Sequence, residues 1–260
     1  MQAESSQYLP TGVERRSAGG VVHVLPAMKA VDPIERPPTV SVVIPALNEA
    51  ENLPHVLPRI PTWVHEVILV DGGSADSTVT VAMEILPGIR IVHQTQKGKG
   101  NALGEGFRAA TGDIIVMIDA DGSTDPTEIP RFLSALRTGA DFVKGTRYVQ
   151  GGGSADLTPI RTAGNRALTG MVNLFWHTKY TDLCYGYIAF WSRHLELLAP
   201  DCRGFEVETL LCIRAVERGL QVSEVVSFEA SRISGTSNLR ATRDGFRILR
   251  TIVAELVRPW

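Results

Sequence analysis

Between residues 40 and 145 the chain alternates short β-type runs with amphipathic stretches. Val40-Ser-Val-Val-Ile-Pro45, Glu66-Val-Ile-Leu-Val70, Ile89-Arg-Ile-Val92, Ile114-Ile-Val-Met-Ile-Asp119 and Asp141-Phe-Val-Lys-Gly145 read as strands. Their apolar residues are nearly continuous, the pattern of strands covered on both faces. The intervening segments predict helices near Glu49–Ile60, from Ser77-Thr78, across Asn101–Ala110 and near Pro126–Thr138. Farther on, a long helix is predicted at Pro159–Trp176, a short strand at Ala189–Trp191, a helix at Glu206–Arg218 and a strand at Gln221–Val226.

Repeated strand–helix units joined by right-handed crossovers give a mostly parallel sheet flanked by helices, an α/β fold. Ligands of such sheets bind beyond the carboxyl ends of the strands. The polar signals fall there: Pro45-Ala46-Leu47-Asn48-Glu49, Asp71-Gly72-Gly73-Ser74 and Asp119-Ala120-Asp121. Two carboxylates at the end of a buried strand are costly without positive charge beside them. Alternate residues of a strand share a face, so Asp119 and Asp121 are expected to converge on one divalent cation. Oxygen ligands suit Mg²⁺ or Mn²⁺, ions that commonly also hold substrate phosphates.

Residues 1–38 read as an irregular tail with one short strand at Val21–Leu25, and residues 39–260 as a single domain. Of the 260 residues, 44% are hydrophobic and 21% charged, which is enough apolar material for one large core. The net charge of −2 excludes a general nucleic-acid binder. Three scattered cysteines form neither a disulfide framework nor a zinc motif, and suit a reducing cytoplasm. No window reaches the roughly 18 apolar residues of a membrane span.

Seven segments in order resemble the family 2 glycosyltransferases of the GT-A fold, and within them the dolichyl- or polyprenyl-phosphate sugar synthases. They are Val42–Glu49, Leu69–Ser74, Lys97-Gly-Lys-Gly-Asn-Ala102, Asp119–Asp121, Gly145-Thr-Arg-Tyr148, Thr181-Asp182 with Gly186 and Ala189-Phe190, and Arg232 with Ser234–Ser237. The resemblance spans about residues 40–252 and implies a single GT-A, Rossmann-like domain with a mostly parallel mixed sheet. It further implies a nucleotide-sugar donor, GDP- or UDP-hexose, a divalent metal, and inversion at the anomeric carbon. Carried over by position, Pro45, Asn48 and Glu49 line the nucleoside pocket and Asp71 holds the base or ribose. Ala46, Gly72 and Ala120 lie beside them, and Lys99 sits near the nucleotide. Asp119 marks the donor sugar or ribose side, and Asp121 is the direct metal ligand, with Asp119 a further metal position. Where many lipid-phosphate synthases carry a Gln that helps bind the metal, Ser123 stands here.

A departing pyrophosphate needs neutralising, by a metal on Asp121 and by fixed cations such as Arg232, whose loop to Ser237 either closes over the phosphates or is a surface turn. A phosphate acceptor needs cations, for which Arg147, Arg161 and Arg131 are candidates. An alcohol acceptor instead needs a base, for which Asp182, Glu206 and Glu208 are candidates. Arg147, directly after a strand, is expected to face the site, whereas Arg131 and Arg161 lie on predicted helices and equally fit a solvated face. Glu206 and Glu208 also suit a helix N-terminus electrostatically.

Between Arg240 and Trp260, Phe246, Leu249, Ile252, Val253, Leu256 and Val257 form a stripe at helical spacing among arginines. Such a helix, at about 240–257, either lies in a bilayer interface or packs on the domain with a solvated outer face. The expected function is hexosyl transfer from a nucleotide sugar to a polyprenyl-type phosphate, in the cytoplasm and peripheral to the membrane, with an anchoring partner protein or a homo-oligomer as further partners. Transfer to a soluble acceptor and non-catalytic nucleotide-sugar binding are the alternatives.

Overall fold

The computed structural model describes residues 36–258; the short strand expected at Val21–Leu25 and the terminal Trp260 lie outside that range. Along the described chain run β1 (Val40–Ala46), α1 (Leu53–Val56), β2 (Glu66–Asp71), α2 (Thr78–Ile85), β3 (Arg90–His93), α3 (Lys99–Ala109) and β4 (Ile114–Met117). These are followed by α4 (Ile129–Arg137), β5 (Phe142–Thr146), β6 (Gly153–Ser154), α5 (Pro159–Trp176), β7 (Ile188–Trp191) and α6 (Leu195–Leu198). Next come α7 (Val207–Glu217), β8 (Val222–Val226), β9 (Phe228–Glu229) and α8 (Ala241–Leu256). The helix expected over Glu49–Ile60 shrinks to α1 and a 3₁₀ turn, Leu57–Arg59, because Pro54 and Pro58 each interrupt the backbone ladder. The two-residue strands β6 and β9 carry no periodic signal, and they pair only with each other, in a small parallel ribbon.

Seven strands form one sheet in the order β3-β2-β1-β4-β7-β5-β8. Every pair is parallel except those of β7, which runs antiparallel to β4, with Met117 opposite Ile188, and to β5, with Phe142 opposite Phe190. The sheet is therefore mostly parallel and mixed. Strand alternation divides the core between its two faces. Val40, Val42 and Ile44 pack with Leu53 and Phe132 on one side, while Val43 packs with Leu103 and Phe107 on the other. The chain winds outward from β1 through β2 to β3, then returns to place β4 on the opposite side of β1, which opens a crevice at their carboxyl ends.

The reversal of β7 matters most for the site. Since β7 is antiparallel, the segment entering it, Asp182–Tyr187, sits on the same rim as the segments leaving β1, β4 and β5.

Helix α3 lies tightly on β1 and β2 at Gly106, where an added Cβ would meet a Val43 methyl and come within 2.7 Å of a Val70 methyl. Gly106→Ala should gain roughly 1 kcal/mol of helix propensity but lose about 1–3 kcal/mol to overpacking. A net fall in the urea midpoint is expected; an unchanged or higher midpoint would refute the close packing.

Candidate functional site

The polar side chains of this rim surround a cavity of about 450 Å³. Pro45, Ala46 and Glu49 come from the end of β1, Gly72 from the end of β2, and Asp119, Ala120 and Asp121 from the segment after β4. Lys99, Arg147, Arg161, Glu208 and Arg232 complete its charged wall. Strand geometry does not bring the two aspartates together, because β4 ends at Met117 and Ala120-Asp121 forms a turn. That turn is fixed by hydrogen bonds from Ser123 N to Asp121 Oδ1 (3.0 Å) and from Asp119 N to Thr124 Oγ1 (3.1 Å). Ser123 thus donates its backbone N–H to the Asp121 carboxylate.

Three cations bridge six carboxylates drawn from separate segments. Lys99 Nζ lies 2.6 Å from Asp119 Oδ1 and 2.8 Å from Glu208 Oε1. Arg147 holds Asp182 through Nε (2.7 Å) and Nη2 (2.9 Å), and Glu229 through Nη1 (2.9 Å). Arg232 forms a fork on Glu49 at 2.9 Å through each terminal nitrogen and lies 3.3 Å from Asp121 Oδ2. Such planar two-point pairing is the geometry for which Arg is suited.

Each bridge has a local cause. Lys99 begins α3 after Gly98, whose φ of 116° disfavours any side chain. A Cβ at Gly98 would also collide with the Arg203 carbonyl, which accepts the Gly100 N–H at 2.9 Å. The glycines of Lys97-Gly-Lys-Gly100 therefore let the 201–206 backbone approach, which carries Glu208 to Lys99. Arg232 belongs to a strap over the Asp121 turn. Ser234 N donates to Asn52 Oδ1 (2.8 Å), Asn52 Nδ2 donates to the Ser234 carbonyl (3.2 Å), and Ile233 N donates to the Asp121 carbonyl (3.1 Å).

Burial, reinforced by the Asp121 and Glu208 charges, pushes the Asp119 carboxyl up to about 6 against the pull of Lys99. Burial works against the Lys99 charge, yet Asp119 and Glu208 together hold it well above the usual lysine value. Asp182 is fully buried, a setting that opposes its charge, but Arg147 and Asn165 keep its carboxyl below the ordinary range.

Several residues singled out in the sequence stand elsewhere. Arg131 is on α4, away from the cavity wall, 3.5 Å from Glu128 and largely in water. Arg147 faces the cavity as expected, but its guanidinium is occupied by Asp182 and Glu229. Arg161, at the start of α5, pairs with Asp156 at 2.7 Å. Glu206 binds the backbone N–H groups of Arg203 and Gly204 (3.2 and 3.0 Å), a structural use beside the cavity. Asn48 adopts φ 58° and accepts from Ala75 N, and Asp71 accepts from Gly73 and Ser74 N in a smaller adjoining hollow. Glu229, Asn165 and the apolar wall of Phe205, Leu239 and Ile248 went unremarked in the sequence. Glu229 lies on the two-residue β9, and its partner Arg147 is 82 positions away, so no local pattern marks it.

Around the cavity itself stand Glu49, Asp119, Asp121, Asp156, Glu208 and Glu229 against Lys99, Arg147, Arg161 and Arg232, a formal excess of two negative charges. Among the described residues, no three His, Cys, Asp or Glu side chains are grouped to hold a metal by themselves. The Asp121 carboxylate, 20% exposed at the cavity wall, presents oxygens of the kind that Mg²⁺ or Mn²⁺ takes together with phosphate oxygens and water. The charge excess equals that of one divalent ion, so the residues present fit such a group.

The model of glycosyl transferase family 2 matches residues 41–208. Over 231 residues the chain is 33% identical to an undecaprenyl-phosphate mannosyltransferase of Micrococcus luteus, covering 84% of this chain and 94% of that protein. Over 212 residues it is 33% identical to a polyprenol monophosphomannose synthase of Mycolicibacterium smegmatis, covering 76% and 80% respectively. In three dimensions it resembles glucosyl-3-phosphoglycerate synthase of Mycobacterium tuberculosis, crystallised with Mn²⁺, UDP and phosphoglyceric acid. The TM-score is 0.67, with 25% identity and coverage of 86% of this chain and 80% of that one. The same neighbour has also been crystallised with Mg²⁺ and UDP.

Lys99→Met would leave the buried Glu208 without its cation, and about 3–5 kcal/mol of stability should be lost. Urea unfolding measures this, and a loss below 1 kcal/mol would show that the bridge is dispensable. Asp119 gives a pH signature in metal-free protein. Its folded value of about 6 exceeds the unfolded model value of 3.8, so the fold binds the extra proton between these limits. Stability relative to Asp119→Asn should therefore fall as pH rises from about 4 to about 6. A difference that is flat over this window would contradict the raised value.

Proposed function

The chain belongs to glycosyl transferase family 2, and from that premise we propose that it moves a hexose from GDP- or UDP-hexose to a polyprenyl-type phosphate, with inversion and with Mg²⁺ or Mn²⁺. The observation carrying the choice of acceptor is that every carboxylate lining the cavity is already engaged. Glu49 is forked by Arg232, Glu208 and Asp119 are held by Lys99, Glu229 by Arg147, and Asp156 by Arg161. Asp121 faces Arg232 and the Ser123 N–H. An alcohol acceptor requires a base to take its proton, and a carboxylate whose charge a cation stabilises is a poor one; Asp119, pushed up to about 6 by burial, is committed to the metal corner in this reading. A phosphate acceptor is already an anion and needs none. The two similar proteins named for undecaprenyl-phosphate and polyprenol support the same choice.

In this reading Pro45, Ala46, Glu49 and Gly72 border the nucleoside, with Asn48 and Asp71 fixing the loops behind it. Asp121, with Asp119 beside it, would hold the metal, which when bound neutralises the leaving diphosphate as a Lewis acid. Arg232, tethered over Asp121 by its strap, supplies fixed positive charge on the same corner. Lys99 keeps Asp119 and Glu208 in place. Arg161 is the cation at the acceptor end, because Asp156, its one carboxylate partner among the described residues, is half in solvent. Arg147 acts by positioning Asp182 and Glu229.

A second reading, a small phosphorylated acceptor, draws on the neighbour crystallised with phosphoglyceric acid. The two separate in one experiment. Labelled GDP-mannose, GDP-glucose, UDP-glucose or UDP-galactose is incubated with the protein, Mn²⁺ and either detergent-dispersed polyprenyl phosphate or 3-phosphoglycerate. Label extracted into organic solvent is expected with the lipid, and label that remains wholly aqueous with every donor would overturn that acceptor. Asp121→Ala should lower turnover by at least about a thousandfold, and EDTA should do the same to the native protein, without a shift in melting temperature large enough to indicate unfolding. Near-native turnover in either case would remove the metal from this proposal.

A further inference from the structure

Arg161 is held at the cavity wall by the segment that leads into its helix. Its Nη1 donates to Asp156 Oδ2 at 2.7 Å and to the Asp156 carbonyl at 3.1 Å, and its backbone N–H donates to Thr158 Oγ1 at 3.3 Å. Where Asp156 stands therefore decides where the guanidinium points. Asp156 lies in a bend outside any helix or strand, so a side chain has to fix it. Ser154 does so. Its Oγ accepts the N–H groups of Asp156 (3.1 Å) and Leu157 (3.2 Å) and donates to Glu229 Oε2. A serine hydroxyl has one hydrogen to give and two lone pairs to receive with, and here all three are in use. The same Glu229 oxygen takes Arg147 Nη1 at 2.9 Å, and Arg147 is anchored by the fully buried Asp182. Ala155 N also donates to the Glu229 carbonyl at 2.9 Å, beside the β6–β9 pairing. Gly152 permits this return of the chain, since a Cβ there would lie 3.0 Å from the Thr146 carbonyl oxygen. Arg147, Glu229, Asp156 and Arg161 line the cavity, and Ser154 stands behind them.

We propose that Ser154 is a positioning residue for the acceptor. Its hydroxyl joins the buried Arg147–Glu229 pair to the Asp156 bend, and so sets the direction from which Arg161 meets the acceptor phosphate. Ser154 touches no substrate; it acts through Arg161, and it governs binding of the phosphate rather than departure of the nucleotide. The residue type follows from the chemistry. Alanine would strip the Asp156 and Leu157 N–H groups of their acceptor and free the bend to carry Asp156, and the guanidinium with it, toward water. Two-point pairing with phosphate needs a guanidinium of fixed orientation, so affinity falls although the charge remains. Threonine keeps the donor and both acceptor sites. Resting on the phosphate-acceptor reading, the assignment holds for a lipid-borne or a soluble phosphate, since both would meet the same cation.

The test is steady-state transfer by the full chain, with acceptor and donor varied in turn. The acceptor is whichever the native protein uses, detergent-dispersed polyprenyl phosphate or 3-phosphoglycerate. Ser154→Ala should raise the acceptor KM about tenfold, the weight of a hydrogen bond to a charged group. Its kcat and donor KM should stay within about twofold of native, the sign of lost binding rather than lost chemistry. Ser154→Thr should restore the native KM. Arg161→Gln should raise the acceptor KM at least as far, and adding Ser154→Ala to it should change KM by less than about twofold, because no cation is left to orient. Should thermal unfolding show that Ser154→Ala does not fold, Ser154→Cys, of similar size but weak in hydrogen bonding, gives the same comparison. Effects that multiply in the double variant would overturn the proposal. So would a fall in kcat at unchanged acceptor KM, or Ser154→Thr behaving as Ser154→Ala. Native protein that transfers to neither acceptor would remove the phosphate-acceptor reading and this proposal with it, whereas native transfer with an unaltered KM in Ser154→Ala would remove the proposal alone.

Discussion

A buried carboxylate has to be met by a cation, and the rim of this sheet is organised around that requirement. Lys99, Arg147 and Arg232 each join two carboxylates that lie far apart in the chain. Each bridge therefore fastens segments as well as balancing charge. Lys99 ties the turn after β4 to α7, Arg147 ties the end of β5 to the lead-in of β7 and to β9, and Arg232 ties its strap to the end of β1 and to the Asp121 turn. Removing one cation would leave two carboxylates in a poorly solvated place, at a cost that is a large fraction of ordinary folding stability. The cavity keeps its shape because its walls are held by the charges that also give it its chemistry.

Among the side chains that line the cavity this leaves two negative charges in excess, since Asp182, the second partner of Arg147, does not line it and Arg161 with Asp156 adds no imbalance. A diphosphate entering such a cavity would be repelled unless positive charge came with it. Fixed cations alone cannot do this, since they already serve the protein's own carboxylates. In the proposed reading a divalent ion on Asp121 would answer the deficit, as the structurally similar synthase has been crystallised with Mn²⁺ and with Mg²⁺. In the proposed reading the engagement of these carboxylates by cations also favours an acceptor that arrives already ionised over an alcohol.

Much of this was legible in the sequence. The apolar runs at Val40–Ile44, Glu66–Val70 and Ile114–Met117 appear as strands, and α5 spans the residues its periodicity marks, Pro159–Trp176. The loops after β1, β2 and β4 drew attention because polar residues follow buried runs there, and they do share one rim. Harder to see were the partners. Nothing near Arg147 indicates that Asp182 and Glu229 will consume its donors, and nothing near Glu206 indicates that backbone N–H groups will claim it. Arg131 misled because its helix turns it toward water, beside Glu128. For α8 the sequence offered a place in a bilayer interface or packing on the domain with a solvated outer face. In the fold its inner side packs on α5 and α7, with the acidic residues turned inward and Arg243, Phe246 and Arg250 left exposed.

By itself, then, the sequence determined the alternating β/α elements, the family, and the position of Asp119 and Asp121 at a strand end, since these follow from local periodicity and short ordered motifs. Only the tertiary structure decided which charges are free. The antiparallel insertion of β7 carries Asp182–Tyr187 to the functional rim, and the strap from Ala230 onward closes over the Asp121 turn. Both depend on long-range register and on the pairing of buried ions, which act through space and leave no spacing along the chain by which they could be read.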